Sequence, residues 1–202
     1  MEADRLTGAL EGCVVSIHHI GSTAISEIFA KPIIDILLTV DDIGRLDARN
    51  SIMVSQGYEA MGEYGIPGRR FFRKSNGLGI RTHHVHAYQT EHRDIERHLA
   101  FRYYMVANPM EAQAYSALKQ KLAREYPDNI DSYMDGKDLF IKEHEVKAIA
   151  WQRSRVKQQT AGVLAKRVAY YFLRGCQSGF GKGALASVAL RQLFSFMRKS
   201  LT

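Results

Sequence analysis

Two short segments near the start of the chain contain residue types that bind phosphate groups. Gly21-Ser22 follows an apolar run at 13–20, and Asp35 lies thirteen residues after Ser22 inside a second apolar run at 33–40. The backbone N–H groups of a Gly-Ser turn at a helix start can bind a phosphate. A carboxylate on the neighbouring strand can hold a metal ion that neutralises the phosphate charge. The spacing therefore predicts a phosphate site that contains Gly21, Ser22 and Asp35.

A third segment places imidazoles where they could join this site. In the predicted strand 80–88, alternation puts Thr82, His84 and His86 on one face. Two imidazoles at this spacing can share one metal ion or contact one anion. We expect Asp35, His84 and His86 to be the catalytic residues and the ligands of a divalent ion, either Mg, Mn or Zn. The alternative is a polar strand with partly exposed imidazoles, and an aspartate that caps a neighbouring loop.

Basic residues near these segments are candidates for phosphate contacts. Lys31 precedes the strand that contains Asp35, and Arg70 and Arg73 flank two phenylalanines in the predicted strand 69–74. A guanidinium group can bind phosphate oxygens bidentately. We expect Lys31, Arg70 and Arg73 to supply phosphate contacts, although alternation puts the two arginines on opposite faces. The alternative is edge-strand charge that discourages aggregation.

Periodicity and turn signals predict the elements that position these residues. Strands are expected at 13–20, 33–40, 58–63, 69–74 and 80–88. Helices are expected at 2–11, 22–30 (capped by Ser22) and 42–56, in a region whose one face is marked by Ile95, Leu99 and Val106, from Asn108-Pro109 to before Pro127, and at 131–157, 161–174 and 184–199. This order predicts an α+β fold, with a small mixed sheet covered by helices and followed by a helical C-terminal region.

Charge divides the chain into two parts. Residues 1–150 contain all 21 acidic residues and are close to neutral, whereas residues 151–202 contain ten Lys and Arg and no Asp or Glu. We expect a domain at 1–150 and a basic helical extension at 151–202. A basic extension can contact nucleic acid, an anionic membrane surface or an acidic partner. The alternative is a solvated pair of basic helices. The glycine-rich segment 175–183 is expected to connect them, since Gly183 stands where a phosphate loop needs Ser or Thr.

Composition narrows the class of protein. Hydrophobic residues make up 46% of the chain and charged residues 24%, as in ordinary globular proteins. No apolar run is long enough for a transmembrane segment. We interpret Cys13 and Cys176 as free thiols in a reducing compartment and expect a cytoplasmic protein without a secretory signal. The oligomeric state is left open.

The order and spacing of several motifs resemble those of the GrpB family over about residues 2–150. The matching segments are His19-Ile-Gly-Ser-Thr-Ala24, Ala30-Lys-Pro-Ile-Ile-Asp-Ile36, Phe72-Arg-Lys74, Arg81-Thr-His-His-Val-His86, His98-Leu-Ala-Phe-Arg102 and Tyr115-Ser-Ala-Leu-Lys119, with Lys137 and Phe140-Ile141 downstream.

The resemblance implies a nucleotidyltransferase-like fold and a relationship to enzymes that move a nucleotidyl group onto an acceptor hydroxyl. Some members look like the C-terminal extension of dephospho-coenzyme A kinases. Active nucleotidyltransferases generally have a second carboxylate two residues after the first, where this chain has Leu37. One Asp with His suits a single softer ion. We therefore expect either metal-dependent nucleotidyl transfer or a catalytically inactive module that binds a nucleotide, a coenzyme or another phosphate-containing small molecule.

Overall fold

The computed structural model describes residues 1–177. Within this range it contains five strands and six α-helices, which we number in chain order: β1 Val14–Ile20, β2 Ile34–Val40, β3 Tyr58–Ala60, β4 Arg70–Ser75 and β5 Arg81–Gln89, with α1 Glu2–Ala9, α2 Ile43–Asp47, α3 Asn50–Ser55, α4 Arg93–Ala107, α5 Pro109–Glu125 and α6 Ile130–Gln177. By its internal contacts the chain divides into the units Met1–Ile149 and Ala150–Thr202. That the basic extension is a separate functional domain stays a prediction.

The five strands form one mixed sheet in the order β1-β2-β5-β4-β3. Only the central pair β2 and β5 is parallel, and the three other pairs are antiparallel. A parallel pair needs a long connection, which here includes α2, α3, β3 and β4. The mixed sheet with helices and a C-terminal helix confirms the predicted α+β class.

One face of the sheet packs against the first three helices. Leu6 of α1, Leu46 of α2 and Met53 of α3 are fully buried in one cluster with side chains from the strands. The strands contribute alternate residues, such as Ile36 and Leu38, because successive side chains point to opposite faces. This face therefore forms the main hydrophobic core of the first unit.

The opposite face of the sheet packs against α4. Leu37 and Tyr88 are fully buried there, next to Ile95 and Leu99 of α4. A further cluster joins α4, α5 and α6, with Met105 at its centre. Asp35 is on the same strand face as Leu37, so this second face is the one that contains the candidate site.

The predicted helix at 22–30 is wrong beyond its first turn. Only Ser22–Ala24 forms a turn of 3-10 helix, Gly21 rather than Ser22 is its N-cap residue, and no side chain caps it. Glu27 has a φ of 62°, which a helix does not allow. The N–H of Phe29 instead donates to Ser116 Oγ of α5. Contacts with α5 therefore replace the hydrogen bonds that a longer helix would have made.

Two other predicted helix boundaries are also wrong. The helix expected at 42–56 is divided into α2 and α3, and α6 continues without interruption through the break expected after residue 157. Residues 175–177 of the predicted connector are helical, whereas 178–183 and the helix expected at 184–199 lie outside the described residues. Cys13 is a buried free thiol, as predicted.

Within residues 1–177, no helix combines the length and the hydrophobicity that a membrane span requires.

Candidate functional site

Asp35, His84 and His86 meet on the face of the sheet covered by α4. In the parallel pairing of β2 with β5, Asp35 is opposite His84 and Leu37 is opposite His86. Asp35 Oδ1 is 3.2 Å from His84 Nδ1 and 3.6 Å from His86 Nε2. The three side chains are between one-sixth and one-quarter exposed. They form a hydrogen-bonded acid–imidazole cluster, a name we keep for these three residues.

The carboxyl group of Asp35 is held in its ionised form. Burial by itself would raise its pKa, but the hydrogen bonds and positive charge of His84 and His86 outweigh burial and lower the pKa to about 2. The cluster therefore combines a partly buried, ionised carboxylate with two imidazoles.

Gly21 lies directly against the Asp35 carboxylate. Its backbone has φ 69° and ψ −167°, a combination that only glycine adopts without strain. A Cβ atom at this position would overlap the carboxylate of Asp35. The glycine predicted to bind phosphate is thus required first for the close approach of its backbone to Asp35.

Ser22 connects this cluster to a buried lysine of α5. Lys119 is 3% exposed. Its Nζ donates to Ser22 Oγ at 2.9 Å and to the carbonyl oxygen of Phe29, and it lies 4.5 Å from the ring centroid of Tyr115. These partners are uncharged oxygens and an aromatic face. Burial, with the nearby charge of Lys137, lowers the pKa of Lys119 to about 8.

A second lysine comes from α6. Burial lowers the pKa of Lys137, the charge of Asp35 acts in the opposite direction, and the charge of Lys31 lowers it further. The amino groups of Lys31 and Lys137 lie 5.4 and 5.2 Å from the ring centroid of Tyr133. Lys31 is an exposed residue. We call Ser22, Lys119, Lys137, Tyr115 and Tyr133 the lysine–tyrosine cluster.

The two clusters are adjacent. Gly21 lies against Asp35, and the next residue, Ser22, accepts the hydrogen bond from Lys119. Burial raises the pKa of Tyr115 to about 12, and the charge of Asp35 contributes to this shift. The two clusters are therefore joined through Gly21 and Ser22, and the charge of Asp35 acts on both Lys137 and Tyr115.

The acid–imidazole cluster also has the composition of a metal-ligand set. Asp35, His84 and His86 each offer one ligand atom, and these atoms all lie within 4.8 Å of one another. One carboxylate with two imidazoles suits zinc or manganese better than magnesium, which prefers oxygen ligands. Within residues 1–177 no other group of three His, Cys, Asp or Glu has this geometry.

Comparison with known proteins identifies the family. A family model described as GrpB protein matches residues 1–147, nearly three-quarters of the chain. The chain belongs to the GrpB family. The resemblance derived from the sequence motifs is thereby confirmed.

Individual proteins are similar to this chain over most of its length. The UPF0157 protein YqkA of Bacillus subtilis is 45% identical over 76% of this chain and 44% of its own length. The glutamate-rich protein GrpB of Alkalihalophilus pseudofirmus is 35% identical over 64% of this chain and 76% of its own length. The match to this chain therefore spans less than half of the length of YqkA. None of these likenesses assigns a substrate or a reaction.

A solved structure supports the same assignment. The crystal structure of conserved protein GrpB from Enterococcus faecalis is 45% identical and superposes with a TM-score of 0.71 over 75% of this chain and 90% of that chain. At this identity the likeness extends to sequence as well as fold. The α+β architecture described above is therefore that of a GrpB family member.

The structure separates Arg70 and Arg73 from the site. Arg70 is on the opposite face of the sheet, where its guanidinium donates to both Asp47 carboxylate oxygens at 2.5 and 2.7 Å. Arg73 is opposite His84 in the register, but its guanidinium pairs with both carboxylate oxygens of Glu59. Both arginines are held in intramolecular ion pairs, so the structure gives no support for phosphate contacts from them, and these contacts stay a prediction.

His19 is also on the other face. It pairs with Ile36, whose side chain belongs to the main core, and its Nε2 is 2.9 Å from Thr23 Oγ1. A one-residue step along a strand reverses the face, so His19 lies on the face of the sheet opposite that of Asp35.

Removal of Arg70 tests its structural role. Arg70→Ala is expected to lower the free energy of unfolding by about 0.5–1.5 kcal/mol, because a partly exposed bidentate ion pair contributes at this scale. It should leave the affinity for phosphate compounds unchanged. Chemical denaturation and calorimetry measure the two effects, and a loss of affinity in the folded variant would return Arg70 to the site.

Sequence reasoning did not identify the lysine–tyrosine cluster as a site. Tyr115 and Lys119 are four residues apart on α5, and Tyr133 and Lys137 are four residues apart on α6. Residues at this spacing are on one face of a helix. This repeated Tyr-x-x-x-Lys spacing was a usable signal, but only the packing of the two helices shows that both pairs converge.

The depressed pKa of Lys119 predicts a pH dependence of stability. Between about pH 8, the pKa in the folded state, and pH 10.5, the ordinary lysine value, the unfolded chain binds more protons at this residue. Stability should therefore rise with pH across this window. The free energy of unfolding of the wild type, minus that of Lys119→Met, should increase by up to about 3 kcal/mol. Denaturation series at several pH values measure this difference, and a constant difference would contradict the assignment.

Proposed function

We propose that this protein binds a phosphate-containing small molecule, a nucleotide or a coenzyme-like ligand, at the lysine–tyrosine cluster beside Asp35. The observation that supports this most directly is Lys119. It is a buried amino group, and its hydrogen-bond partners are the uncharged oxygens of Ser22 and Phe29.

A buried ammonium without a neutralising charge is costly. Lys119 responds with a lowered pKa, and Lys137 has a lowered pKa beside it. A phosphate group placed between these two amino groups would supply the missing negative charge and accept hydrogen bonds from both. The Ser22 hydroxyl would add a third contact. The turn at Ser22–Ala24 is too short for a helix dipole to contribute.

Nucleotidyl transfer is the candidate reaction, and it rests on the resemblance to nucleotidyltransferases. In such a reaction the acid–imidazole cluster would either hold a divalent ion against the phosphate or accept a proton from the attacking hydroxyl. Two-metal transfer needs several carboxylates, and Asp35 is the one carboxylate in the three-residue ligand set found among residues 1–177. This observation favours the alternative of a binding module without transfer activity.

A panel of ligands tests binding. Titration calorimetry and thermal unfolding would compare inorganic phosphate, pyrophosphate, AMP, ATP and coenzyme A with uncharged adenosine. We expect stabilisation by one or more of the phosphate compounds, about 2.7 kcal/mol at roughly 100 times the Kd, and none by adenosine. No shift with any phosphate compound, or an equal shift with adenosine, would refute the proposal.

Turnover separates the two candidate functions. Labelled nucleotides would be incubated with the protein and Mg²⁺, Mn²⁺ or Zn²⁺, and pyrophosphate release would be compared between the wild type and Asp35→Ala. Release that Asp35→Ala abolishes supports transfer. Ligand binding without release supports the binding module.

We also propose that the protein is cytoplasmic. We further propose that residues 151–202 contact nucleic acid. The ten basic residues of this segment support the nucleic-acid contact. Binding that disappears on truncation after about residue 158 and weakens steeply with salt is the expected result.

A further inference from the structure

Arg69 is a buried cation next to the acid–imidazole cluster. It is 6% exposed. Its guanidinium donates to the carbonyl oxygen of Tyr64 at 2.7 Å and to that of Glu63 at 3.2 Å, and it lies 4.9 Å from the ring centroid of Phe71. These contacts fix the guanidinium independently of the histidines. Its Nη1 is 3.5 Å from His86 Nδ1.

The contact with Arg69 favours one ring nitrogen of His86 as the site of the proton. Arginine has N–H donors and no acceptor, so a hydrogen bond across this 3.5 Å contact requires His86 Nδ1 to accept. In the neutral imidazole the proton is then on Nε2. This is the atom 3.6 Å from Asp35 Oδ1. His86 therefore directs an N–H toward the carboxylate.

This arrangement differs from that of a metal-binding histidine. Such a histidine usually donates its second ring N–H to a carboxylate or a carbonyl and keeps a lone pair for the metal. In His86 the second nitrogen faces a guanidinium group, and the nitrogen that faces Asp35 holds the proton. Lys137 adds a second positive charge that acts on Asp35. The positive charges of Arg69 and Lys137 both act on the cluster, and they oppose the binding of a divalent cation.

In His84 the ring nitrogen with the lone pair is Nε2, which does not face Asp35. Its Nδ1 is 3.2 Å from Asp35 Oδ1, the same oxygen that faces His86 Nε2. A carboxylate oxygen accepts, so Nδ1 of His84 is the donor and Nε2 is unprotonated in the neutral ring. The ring of Phe71 packs 5.2 Å from both imidazole rings. His84 is one-quarter exposed.

We propose that Arg69 is a positioning residue that fixes the proton of His86 on Nε2, and that Asp35 and His84 thereby form a proton-accepting pair rather than a metal centre. That the proton comes from a hydroxyl or water next to a bound phosphate ester rests on the proposed function. The hydroxyl or water oxygen forms a new O–P bond to the phosphate ester as its proton moves to His84 Nε2, and the Asp35 carboxylate stabilises the imidazolium. The P–O bond to the leaving oxygen breaks, and that oxygen takes the proton back from His84.

The tautomers are measurable without any ligand. Long-range ¹H–¹⁵N correlation spectra of the ¹⁵N-histidine-labelled full chain, at a pH where the imidazoles are neutral, report which ring nitrogen is protonated. We expect protonation at Nε2 in His86 and at Nδ1 in His84. Protonation of His86 at Nδ1 would overturn the proposal. Because this experiment uses the ligand-free protein, its outcome is independent of the phosphate-binding proposal.

Variants of Arg69 test the positioning role. Arg69→Met should give His86 a mixture of tautomers, and Arg69→Lys should restore the Nε2-protonated form in part. Arg70→Met, at the neighbouring arginine on the other face, should leave both spectra unchanged. An unchanged His86 in folded Arg69→Met would overturn the role of Arg69. If Arg69→Met does not fold, the tautomers measured in the wild type still support or overturn the proposal.

Metal titration gives a second readout. Zn²⁺ and Mn²⁺ added at equimolar concentration to the wild type should leave the His84 and His86 signals unchanged, and Arg69→Met should bind Zn²⁺ more tightly than the wild type. Selective shift or broadening of both histidines in the wild type at equimolar metal would show a metal centre and overturn the proposal.

Discussion

Gly21→Ala is expected to lower the free energy of unfolding by about 2–6 kcal/mol. Two costs add: about 1–3 kcal/mol for a side chain in this backbone conformation, and about 1–3 kcal/mol for forcing a methyl group against the Asp35 carboxylate. For a protein of this size the melting temperature should fall by roughly 10 °C. Differential scanning calorimetry measures the shift.

Gly62→Ala is the matched control. Gly62 also has a positive φ of 61°, but a Cβ at that position would meet no atom within 4 Å. Its cost should be about 1–2 kcal/mol, from the backbone conformation alone. A double-mutant cycle gives a sharper comparison, because Gly21→Ala should cost less in an Asp35→Ala background. Equal costs in both backgrounds would show that Asp35 is not what requires the glycine.

Lys119→Met is expected to weaken the binding of phosphate compounds by about 10–100-fold. A hydrogen bond from a charged group contributes about 1.5–3 kcal/mol, and each 1.4 kcal/mol is a factor of ten in affinity. Titration calorimetry with the phosphate compound that binds the wild type measures the loss. The circular dichroism spectrum and the denaturation midpoint establish that the variant is folded.

Lys121→Met is the control for this change. Lys121 is an exposed lysine two residues further along α5. The Lys121→Met substitution removes one positive charge from the same helix as Lys119→Met does, so a general electrostatic effect would appear in both variants. We expect Lys121→Met to bind within about twofold of the wild type, since screening by salt weakens the influence of an exposed charge. Equal losses in the two variants would remove Lys119 from the proposed site.

The sequence predicted the acid–imidazole cluster well because strand alternation is a local property. Residues two apart on β5 must share a face, so His84 and His86 were paired correctly from their spacing. Asp35 stood out because a carboxylate in an apolar run is costly to bury. That these residues would meet required one additional assumption, that their strands are neighbours, and the β2–β5 pairing shows that they are.

Strand alternation correctly put Arg70 and Arg73 on opposite faces, but it does not show which partners basic side chains reach, because these partners come from distant parts of the sequence. Arg70 and Arg73 looked available for phosphate, but Asp47 and Glu59 occupy them in the folded chain. Lys119 and Lys137 belong to the motifs that resemble the GrpB family, but only the folded chain shows that Lys119 reaches Ser22 and that the charge of Asp35 acts on Lys137. The spacing of lysine and arginine along the sequence does not show which partner their long, flexible side chains reach.

What the sequence determined by itself is the GrpB family, the α+β order of elements, and the acidic and imidazole groups that share a strand face. These depend on short-range patterns of side-chain direction. Only the tertiary structure decided which cations surround Asp35, that Gly21 is required for close packing against it, and that residues 25–30 leave the helix to bond with α5. These features depend on contacts between segments distant in the chain, and such contacts are fixed by how the whole core packs.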